Sequence, residues 1–229
     1  PMSKSMFSTP SSLDSSSIKM LYLKLYNFFQ LLGWTSLFVL GIYNCTDSLA
    51  LFSNREVAFL LRTFQHLMLM EVLHSLLRVS PSPLVPTVMQ VCSRVLVVWG
   101  ALELEPNTAW SASLILAWSL AEIIRYSNYL LPMLGFGVPK FLTWLRYSAF
   151  IVLYPIGVFS EIMCLVAALP VIAICCPRVY SLAMPNEWNF AFDYYWFVKY
   201  CLGICYLVGF PYLYMYMLSQ RKRKLSKSN

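Results

Sequence analysis

Long apolar runs, separated by short polar or proline-containing segments, follow one another along most of the chain. Each run is close to the roughly 20 residues that a helix needs to cross the hydrocarbon core of a bilayer. The pattern therefore predicts an all-α polytopic membrane protein, a bundle of six transmembrane helices. The runs cover roughly residues 21–43, 57–79, 84–104, 109–132, 142–169 and 194–218.

Proline and glycine mark the boundaries between these runs. Ser80–Pro83, Glu105–Asn107 and Gly135–Pro139 separate neighbouring helices, because proline lacks an N–H donor and disfavours helix in the residue before it. The fifth run is the longest, which favours a tilted or broken helix. Within it, Pro155 and Gly157 predict a kink.

The composition leaves little room for a soluble domain. Hydrophobic residues make up 59% of the 229 residues and charged residues only 12%, against about a quarter charged in an average soluble domain. We expect a disordered serine-rich N-terminus at residues 1–19, a membrane domain at 20–219 and a basic tail at 220–229. Because polar serines precede a full-length first run, that run is predicted to be retained and not cleaved as a signal peptide.

The net charge of +7 is concentrated at the two ends of the chain. Lys19 and Lys24 lie at the start of the first run, and Arg221–Lys224 follow the last. Cytosolic loops of membrane proteins carry an excess of Lys and Arg, so both termini are predicted to be cytosolic, as an even number of helices requires. The tail is expected to contact anionic membrane lipid. No basic patch with exposed aromatic residues accompanies it, so no nucleic-acid partner is predicted.

The seven cysteines are scattered and lie mostly within or beside apolar runs. They form no CxxC pair and no His/Cys cluster with metal-ligand spacing, so we predict neither a disulfide framework nor a metal site. Asn44-Cys45-Thr46 is the one N-x-T triplet, in a predicted non-cytosolic loop, and the sequence leaves its glycosylation open.

Ionisable residues inside the runs are few, and placing such a residue in lipid costs free energy. Glu71 and His74 are three apart and share a helix face, as a general base with its orienting carboxylate or as a structural pair between helices; the structural interpretation is favoured.

Arg94 lies deep in the third run and needs a carboxylate or a water-filled cavity. Glu122 and Arg125 form an i, i+3 pair in the fourth run that is able to reach Arg94. A structural clamp and a contact with substrate phosphate both remain open for these three residues.

Tyr154 and Glu161 in the fifth run are seven residues apart, so a regular helix places them on one face, about 10 Å apart along its axis. They are able to act as an acid and a base in one cavity. Alternatively, Tyr154 is an ordinary membrane tyrosine and Glu161 pairs with Arg94 or Arg146.

Several segments together resemble the very-long-chain (3R)-3-hydroxyacyl-CoA dehydratases of the protein-tyrosine-phosphatase-like family, over about residues 20–222. Two of them, Ala117–Tyr126 and Tyr154–Glu161, are highly specific. The others are Tyr22–Asn27 with Gly33-Trp34, Glu71–Ser75, Gln90–Leu96, Leu145–Tyr147 and Gly209–Pro211.

The resemblance implies loss of water from a long-chain (3R)-3-hydroxyacyl-CoA to give the trans-2-enoyl-CoA, the third step of very-long-chain fatty acid elongation, with no cofactor. It implies a multi-pass protein of the endoplasmic reticulum membrane that works beside the elongase and reductases of the cycle. The family's catalytic tyrosine and glutamate fall on Tyr154 and Glu161. In the preferred assignment Glu161 acts on the departing 3-hydroxyl and Tyr154 removes the C2 proton. The reverse assignment stays open. Supporting or substrate-binding roles are predicted for Arg94, Glu122, Arg125, Arg146 and Tyr147.

Other functions fit the sequence less well. Cys92-Ser93-Arg94 is too short for the phosphate-cradling loop of a phosphatase and lies in a predicted helix. A non-catalytic membrane scaffold or regulator on the same fold is the main alternative, and it would predict the loss of a catalytic residue. A transporter ranks third, because paired interrupted half-helices are absent from the pattern. If the substrate enters from the cytosol, Arg78, Lys140 and Arg146 are candidates for holding the CoA phosphates.

Overall fold

The computed structural model describes residues 15–80 and 82–225, which fold into helices joined by short connections. No strand forms in these residues, whose one β-type pairing is a bridge between Leu182 and Phe192. The predicted all-α class is therefore confirmed. The helices are α1 (Ser15–Cys45), α2 (Arg55–Leu67), α3 (Leu69–Leu76), α4 (Leu84–Val97), α5 (Trp110–Met133), α6 (Lys140–Ser148), α7 (Phe150–Ile174), α8 (Tyr194–Trp196) and α9 (Gly203–Leu225).

Each of the six predicted runs contains helix. By length and hydropathy, however, not every run is able to cross a bilayer. Three stretches are, namely Ser17–Cys45, Leu84–Leu102 and Lys140–Ile174. A fourth is formed if Tyr194–Tyr200 and Gly203–Lys224, bent by 43°, count as one span. The chain is thus a membrane protein with three or four candidate spans in its described part. The second run is divided at Met68 between α2 and α3.

The helix of the fifth run is interrupted at one residue, which is neither Pro155 nor Gly157. α7 continues as helix through Pro155 and Gly157, and the interruption lies at Ala149, between α6 and α7. A proline disturbs the turn that precedes it, because its ring clashes with the carbonyl four residues earlier and it donates no hydrogen bond there. The carbonyl four residues before Pro155 belongs to Ile151, which lies within α7, so Pro155 does not account for the interruption at Ala149. Tyr154 and Glu161 lie on one continuous helix.

α5 lies at the centre of the bundle, packed between α1 and α7. Its buried residues Leu114 and Ile115 belong to the same apolar cluster as Trp34 of α1 and Cys164 of α7. Lipid tails are as apolar as these side chains, so van der Waals packing, and not exclusion from water, stabilises such contacts within a bilayer. α9 lies at the edge of the bundle against α6 and α7, which leaves space between α9 and the core helices.

The loop of residues 175–193 and the first residue of α8, Tyr194, dock on the π-helical turn Val98–Leu102 that follows α4. The Tyr194 hydroxyl donates a hydrogen bond to the Gly100 carbonyl at 3.0 Å, and the Tyr180 hydroxyl donates to the Trp99 carbonyl at 3.3 Å. The first contact depends on glycine, since a Cβ atom at Gly100 would lie 1.9 Å from the Tyr194 hydroxyl. This docking fixes where the last helical segment begins.

Gly100→Ala is expected to destabilise the protein by about 1–3 kcal/mol, because the new methyl group displaces a buried phenol and breaks its hydrogen bond. The measurement is the thermal midpoint in detergent. Tyr194→Phe, which removes the hydrogen bond without the clash, should lower the midpoint less. An unchanged midpoint in Gly100→Ala would contradict the described docking.

The predicted terminal segments extend beyond the described residues. Residues 1–14 of the predicted N-terminal segment lie outside them, and α1 begins at Ser15. The basic residues Arg221–Lys224 continue α9, which ends at Leu225, and residues 226–229 of the tail lie outside the described part.

Candidate active site

A cavity of about 470 Å³ opens between α4, α5, α6, α7 and α9. Most of its lining is apolar or aromatic, which suits an acyl chain. Four of the predicted site residues line it: Arg94 from α4, Arg146 from α6, and Tyr154 and Glu161 from α7. The remaining three, Glu122, Arg125 and Tyr147, are not part of its wall.

The Glu161 carboxyl is 6% exposed and accepts two hydrogen bonds from different helices. Trp118 of α5 donates its indole N–H to Oε1 at 3.1 Å. Tyr206 of α9 donates its hydroxyl to Oε2 at 2.7 Å. Within the described residues no arginine pairs with Glu161, so the alternative in which Arg94 or Arg146 neutralises it is wrong.

The Tyr154 side chain is half-buried, and aromatic neighbours on α9 fix its ring. Phe210 stacks on it with ring centroids 5.2 Å apart and an angle of 4° between the planes, and Tyr214 stacks at 6.3 Å and 12°. Such offset aromatic contacts hold a ring in place without using its hydroxyl. Among the described residues the Tyr154 hydroxyl has no hydrogen-bond partner, so it is free to bind a substrate.

Two glycines keep the cavity open beside these residues. A Cβ atom at Gly157, three residues after Tyr154, would lie 3.8 Å from the Trp118 indole, an ordinary contact distance. A Cβ atom at Gly209 would lie 3.7 Å from the end of Met89. Neither glycine is therefore required for close approach of helices; both line the cavity, where a larger side chain would occupy its volume.

Behind the cavity wall, two arginines and two glutamates form a network that is neutral as a whole, with Arg94 and Glu122 buried and the other two residues partly exposed. Glu122, 1% exposed, accepts from Arg94 and, at 2.6 Å, from Arg125. Arg125 also donates to Glu71 at 2.9 Å. Complete pairing removes most of the cost of placing these charges in a membrane interior. The arrangement is that of a structural clamp. Of its four residues, Arg94 is the one that lines the cavity.

The clamp also contacts the environment of Glu161. The Arg94 guanidinium lies over the Trp118 ring, 5.0 Å from its centroid, and Trp118 is the donor to Glu161 Oε1. A cation over an indole face is an attractive contact that restricts the ring. The network thus supports one of the two hydrogen bonds on the carboxyl.

Arg146 lies at the other end of the cavity and is held by aromatic side chains. Its Nη2 donates to the Tyr129 hydroxyl at 3.0 Å, and its guanidinium lies 4.4 Å from the Tyr129 centroid and 5.8 Å from that of Tyr147. No carboxylate pairs with it among the described residues. Of the three cations predicted for the CoA end, Arg146 lines the cavity, whereas Arg78 and Lys140 do not.

The His/Glu pair of the second run does not form. Glu71 is bound by Arg125 and Tyr126 of α5, and His74 shares a 2.8 Å hydrogen bond with Tyr22 of α1. Each residue therefore joins its helix to another one, a structural role, but with partners other than those predicted.

Two residues at the site were not predicted as site residues, Trp118 and Tyr206. Trp118 lies in a segment that resembles the dehydratases, next to the residues singled out there. Tyr206 lies in an apolar run that contains several tyrosines, and nothing in the sequence distinguishes it from them. Its role as a partner of Glu161 is visible only in the packing of α9 against α7.

Comparison with known proteins assigns the family. The family described as "Protein tyrosine phosphatase-like protein, PTPLA" matches residues 65–227, which is more than half of the chain. The chain belongs to this family. The resemblance described above is therefore confirmed.

Curated members of the family are similar to this chain along most of their length. The very-long-chain (3R)-3-hydroxyacyl-CoA dehydratase hpo-8 of Caenorhabditis elegans is 40% identical, over 89% of this chain and 94% of its own. The dehydratase PASTICCINO 2 of Arabidopsis thaliana is 38% identical, over 93% and 96% respectively. Dehydratase 2 of Homo sapiens is 37% identical, over 90% and 81%. No solved structure matches the chain.

The phosphatase in the family's name has no counterpart in the described geometry. Cys92 and Arg94 both lie within α4, where Cys92 is exposed and Arg94 is buried against Glu122. A phosphate-binding loop needs backbone N–H groups directed at the anion, whereas those at these positions lie in the interior of a helix. The prediction against phosphatase chemistry at this segment is consistent with that placement.

Proposed function

We propose that this protein dehydrates long-chain (3R)-3-hydroxyacyl-CoA to trans-2-enoyl-CoA, the third step of very-long-chain fatty acid elongation. The observation that carries the proposal is that Tyr154 and Glu161 line one largely apolar cavity. The reaction needs an acid and a base beside a bound acyl chain, and no electron transfer. Membership of a family whose curated members are named for this dehydration supports it.

The contacts favour Glu161 as the base at C2 and Tyr154 as the acid at the 3-hydroxyl, the reverse of the assignment preferred from the sequence. Both Glu161 oxygens accept hydrogen bonds, which is the pattern of a carboxylate. Tyr154 packs against the uncharged rings of Phe210 and Tyr214, with no cation to support a tyrosinate among its described neighbours. Its neutral O–H is free to donate.

The elimination then balances as follows. Glu161 takes the C2 proton, and the C2–H electron pair becomes the C2=C3 double bond. The C3–O bond breaks with its electron pair going to oxygen, which takes the Tyr154 proton and leaves as water. A proton returned from Glu161 to Tyr154 restores the starting state, so no cofactor is consumed.

The cavity indicates how the substrate lies. Arg146 and Glu161 are fifteen residues apart along α6 and α7, about 22 Å at 1.5 Å per residue. In this proposal Arg146 binds a phosphate of CoA, with Arg94 nearer to the reaction centre. The thioester and C2–C3 reach Tyr154 and Glu161, and the apolar wall holds the acyl tail. Glu122, Arg125 and Tyr147 act as supports behind the wall.

We further propose the membrane arrangement predicted from the sequence. Six spans, with both termini in the cytosol, would place the Arg146 end of the cavity on the cytosolic side, since basic residues cluster at both chain ends. Residues 20–219 form the membrane domain in this arrangement. An endoplasmic reticulum location, with the elongase and reductases nearby, follows from the proposed step.

The deciding experiment measures conversion of long-chain (3R)-3-hydroxyacyl-CoA by the purified full chain in detergent or vesicles, with the (3S) compound as control. We expect turnover of the (3R) substrate and formation of the trans-2-enoyl product, detected by mass spectrometry. Absence of any conversion by folded protein would overturn the proposal and leave a non-catalytic scaffold.

Tyr154→Phe is expected to lower kcat about 100-fold, because the substitution removes the proposed proton donor while keeping the stacked ring. KM should change little, since the phenylalanine ring still fills the same place. Tyr212→Phe, the same change at an exposed position of α9, serves as the control. Equal activity of Tyr154→Phe and Tyr212→Phe would remove Tyr154 from the mechanism.

A further inference from the structure

The two donors to Glu161 differ in what they can do when the carboxyl gains a proton. The Trp118 indole N–H donates and cannot accept a hydrogen bond, whereas the Tyr206 hydroxyl can do either. They bind different oxygens of the carboxyl, at 3.1 Å and 2.7 Å. The two oxygens of Glu161 are therefore not equivalent.

Only one position of the proton keeps all three groups bonded. If it resides on the oxygen that faces Trp118, the indole loses a good acceptor and has no other described partner. If it resides on the oxygen that faces Tyr206, that hydroxyl can turn and accept, and the indole keeps its carbonyl-type acceptor. A buried donor left without a partner costs about 1–3 kcal/mol, which favours the second position.

We propose that Tyr206 is a positioning residue that makes its side of the Glu161 carboxyl the proton-accepting side. The Tyr206 hydroxyl donates to the carboxylate before the C2 proton is removed and accepts from the carboxylic acid afterwards, while Trp118 holds the other oxygen throughout. This inference rests on the proposed dehydration with Glu161 as base. Tyr206 keeps its own proton throughout, and only the direction of its hydrogen bond changes.

Two features of the described structure suit this role. Tyr206 lines the cavity and comes from α9, whereas the other donor, Trp118, comes from α5. Trp118 is restrained by Arg94, whose guanidinium lies over the ring, 5.0 Å from its centroid. The carboxyl is thus held between a fixed donor and one whose hydroxyl can rotate.

The test compares Tyr206→Phe with Tyr212→Phe, which makes the same change on the exposed side of the same helix. Tyr206→Phe is expected to lower kcat about 10- to 100-fold, the effect of losing one hydrogen bond to a charged group, with KM within about twofold of wild type. The assay uses substrate with deuterium at C2. Because proton removal becomes slower, the C2 isotope effect on kcat should increase in Tyr206→Phe and stay at the wild-type value in Tyr212→Phe.

The possible outcomes distinguish a positioning role of Tyr206 from a purely structural one, and both from failure of the proposed function. A purely structural role of Tyr206 would reduce the active fraction and leave the isotope effect unchanged, which would overturn the inference. Trp118→Phe, which keeps the Tyr206 contact, should lower kcat less than Tyr206→Phe does. The reverse order would mean that the oxygen facing Trp118 takes the proton. If the wild-type protein does not dehydrate the substrate at all, the proposed function fails first.

Discussion

Glu161→Gln is expected to abolish dehydration almost completely, with kcat reduced about 1000-fold or more. The amide is close in shape to the carboxyl and can accept from Trp118 while donating to the Tyr206 hydroxyl, so both hydrogen-bond partners remain bonded. The fold should therefore survive. The amide cannot take a proton from C2, so the substitution affects the chemical step and not substrate binding. The measurement is kcat with long-chain (3R)-3-hydroxyacyl-CoA, alongside the thermal midpoint.

Glu56→Gln provides the matched control for this prediction. Glu56 is exposed in the first turn of α2, remote in sequence from every cavity residue. Its replacement should leave kcat unchanged. Retention of more than about a tenth of wild-type activity in folded Glu161→Gln would exclude Glu161 as the base, since loss of a positioned general base costs at least about 100-fold.

Glu122→Leu is expected to have the largest effect on stability. The substitution leaves Arg94 without a carboxylate and reduces Arg125 to one, in a cluster that is otherwise neutral. Removing one partner from a buried ion pair typically costs about 3–5 kcal/mol, because the remaining charge stays desolvated. The expected result is a marked fall in the thermal midpoint in detergent, or failure to accumulate as folded protein.

A second substitution distinguishes charge from shape. Glu122→Leu combined with Arg94→Met restores neutrality, so it should recover at least about half of the lost stability. The partly exposed pair of Arg62 with Glu103 is the control, and Glu103→Gln should cost about 0–1 kcal/mol. If the Glu122 and Glu103 variants are equally stable, the clamp does not contribute as described.

The sequence predicted those parts of the site that follow from spacing within one helix. The i, i+3 relation of Glu122 and Arg125 and the shared face of Tyr154 and Glu161 are local geometry, and the helices carry both. Because a charge in lipid costs free energy, Arg94 was predicted to need a carboxylate or a water-filled cavity. Glu122 provides that carboxylate.

What the sequence did not predict depends on how different helices meet. Trp118, Glu161 and Tyr206 lie 43 and 45 residues apart along the chain, and no periodicity relates them. Tyrosines are numerous in the last run, so polarity alone did not single out Tyr206. The interruption at Ala149 was not predicted, because no proline or glycine marks it, whereas α7 accommodates Pro155 without ending.

The way in which Arg146 is held gives the cavity a direction. Aromatic faces, unlike a carboxylate, restrain a guanidinium without cancelling its charge, whereas every charge of the Arg94–Glu122–Arg125–Glu71 network is matched. The cavity is therefore polarised along its length, with a net cation at one end and the Glu161 carboxyl at the other. An anionic headgroup fits such a field in one orientation only. If the proposed acyl-CoA enters at the Arg146 end, its acyl tail goes in first and the product leaves headgroup first.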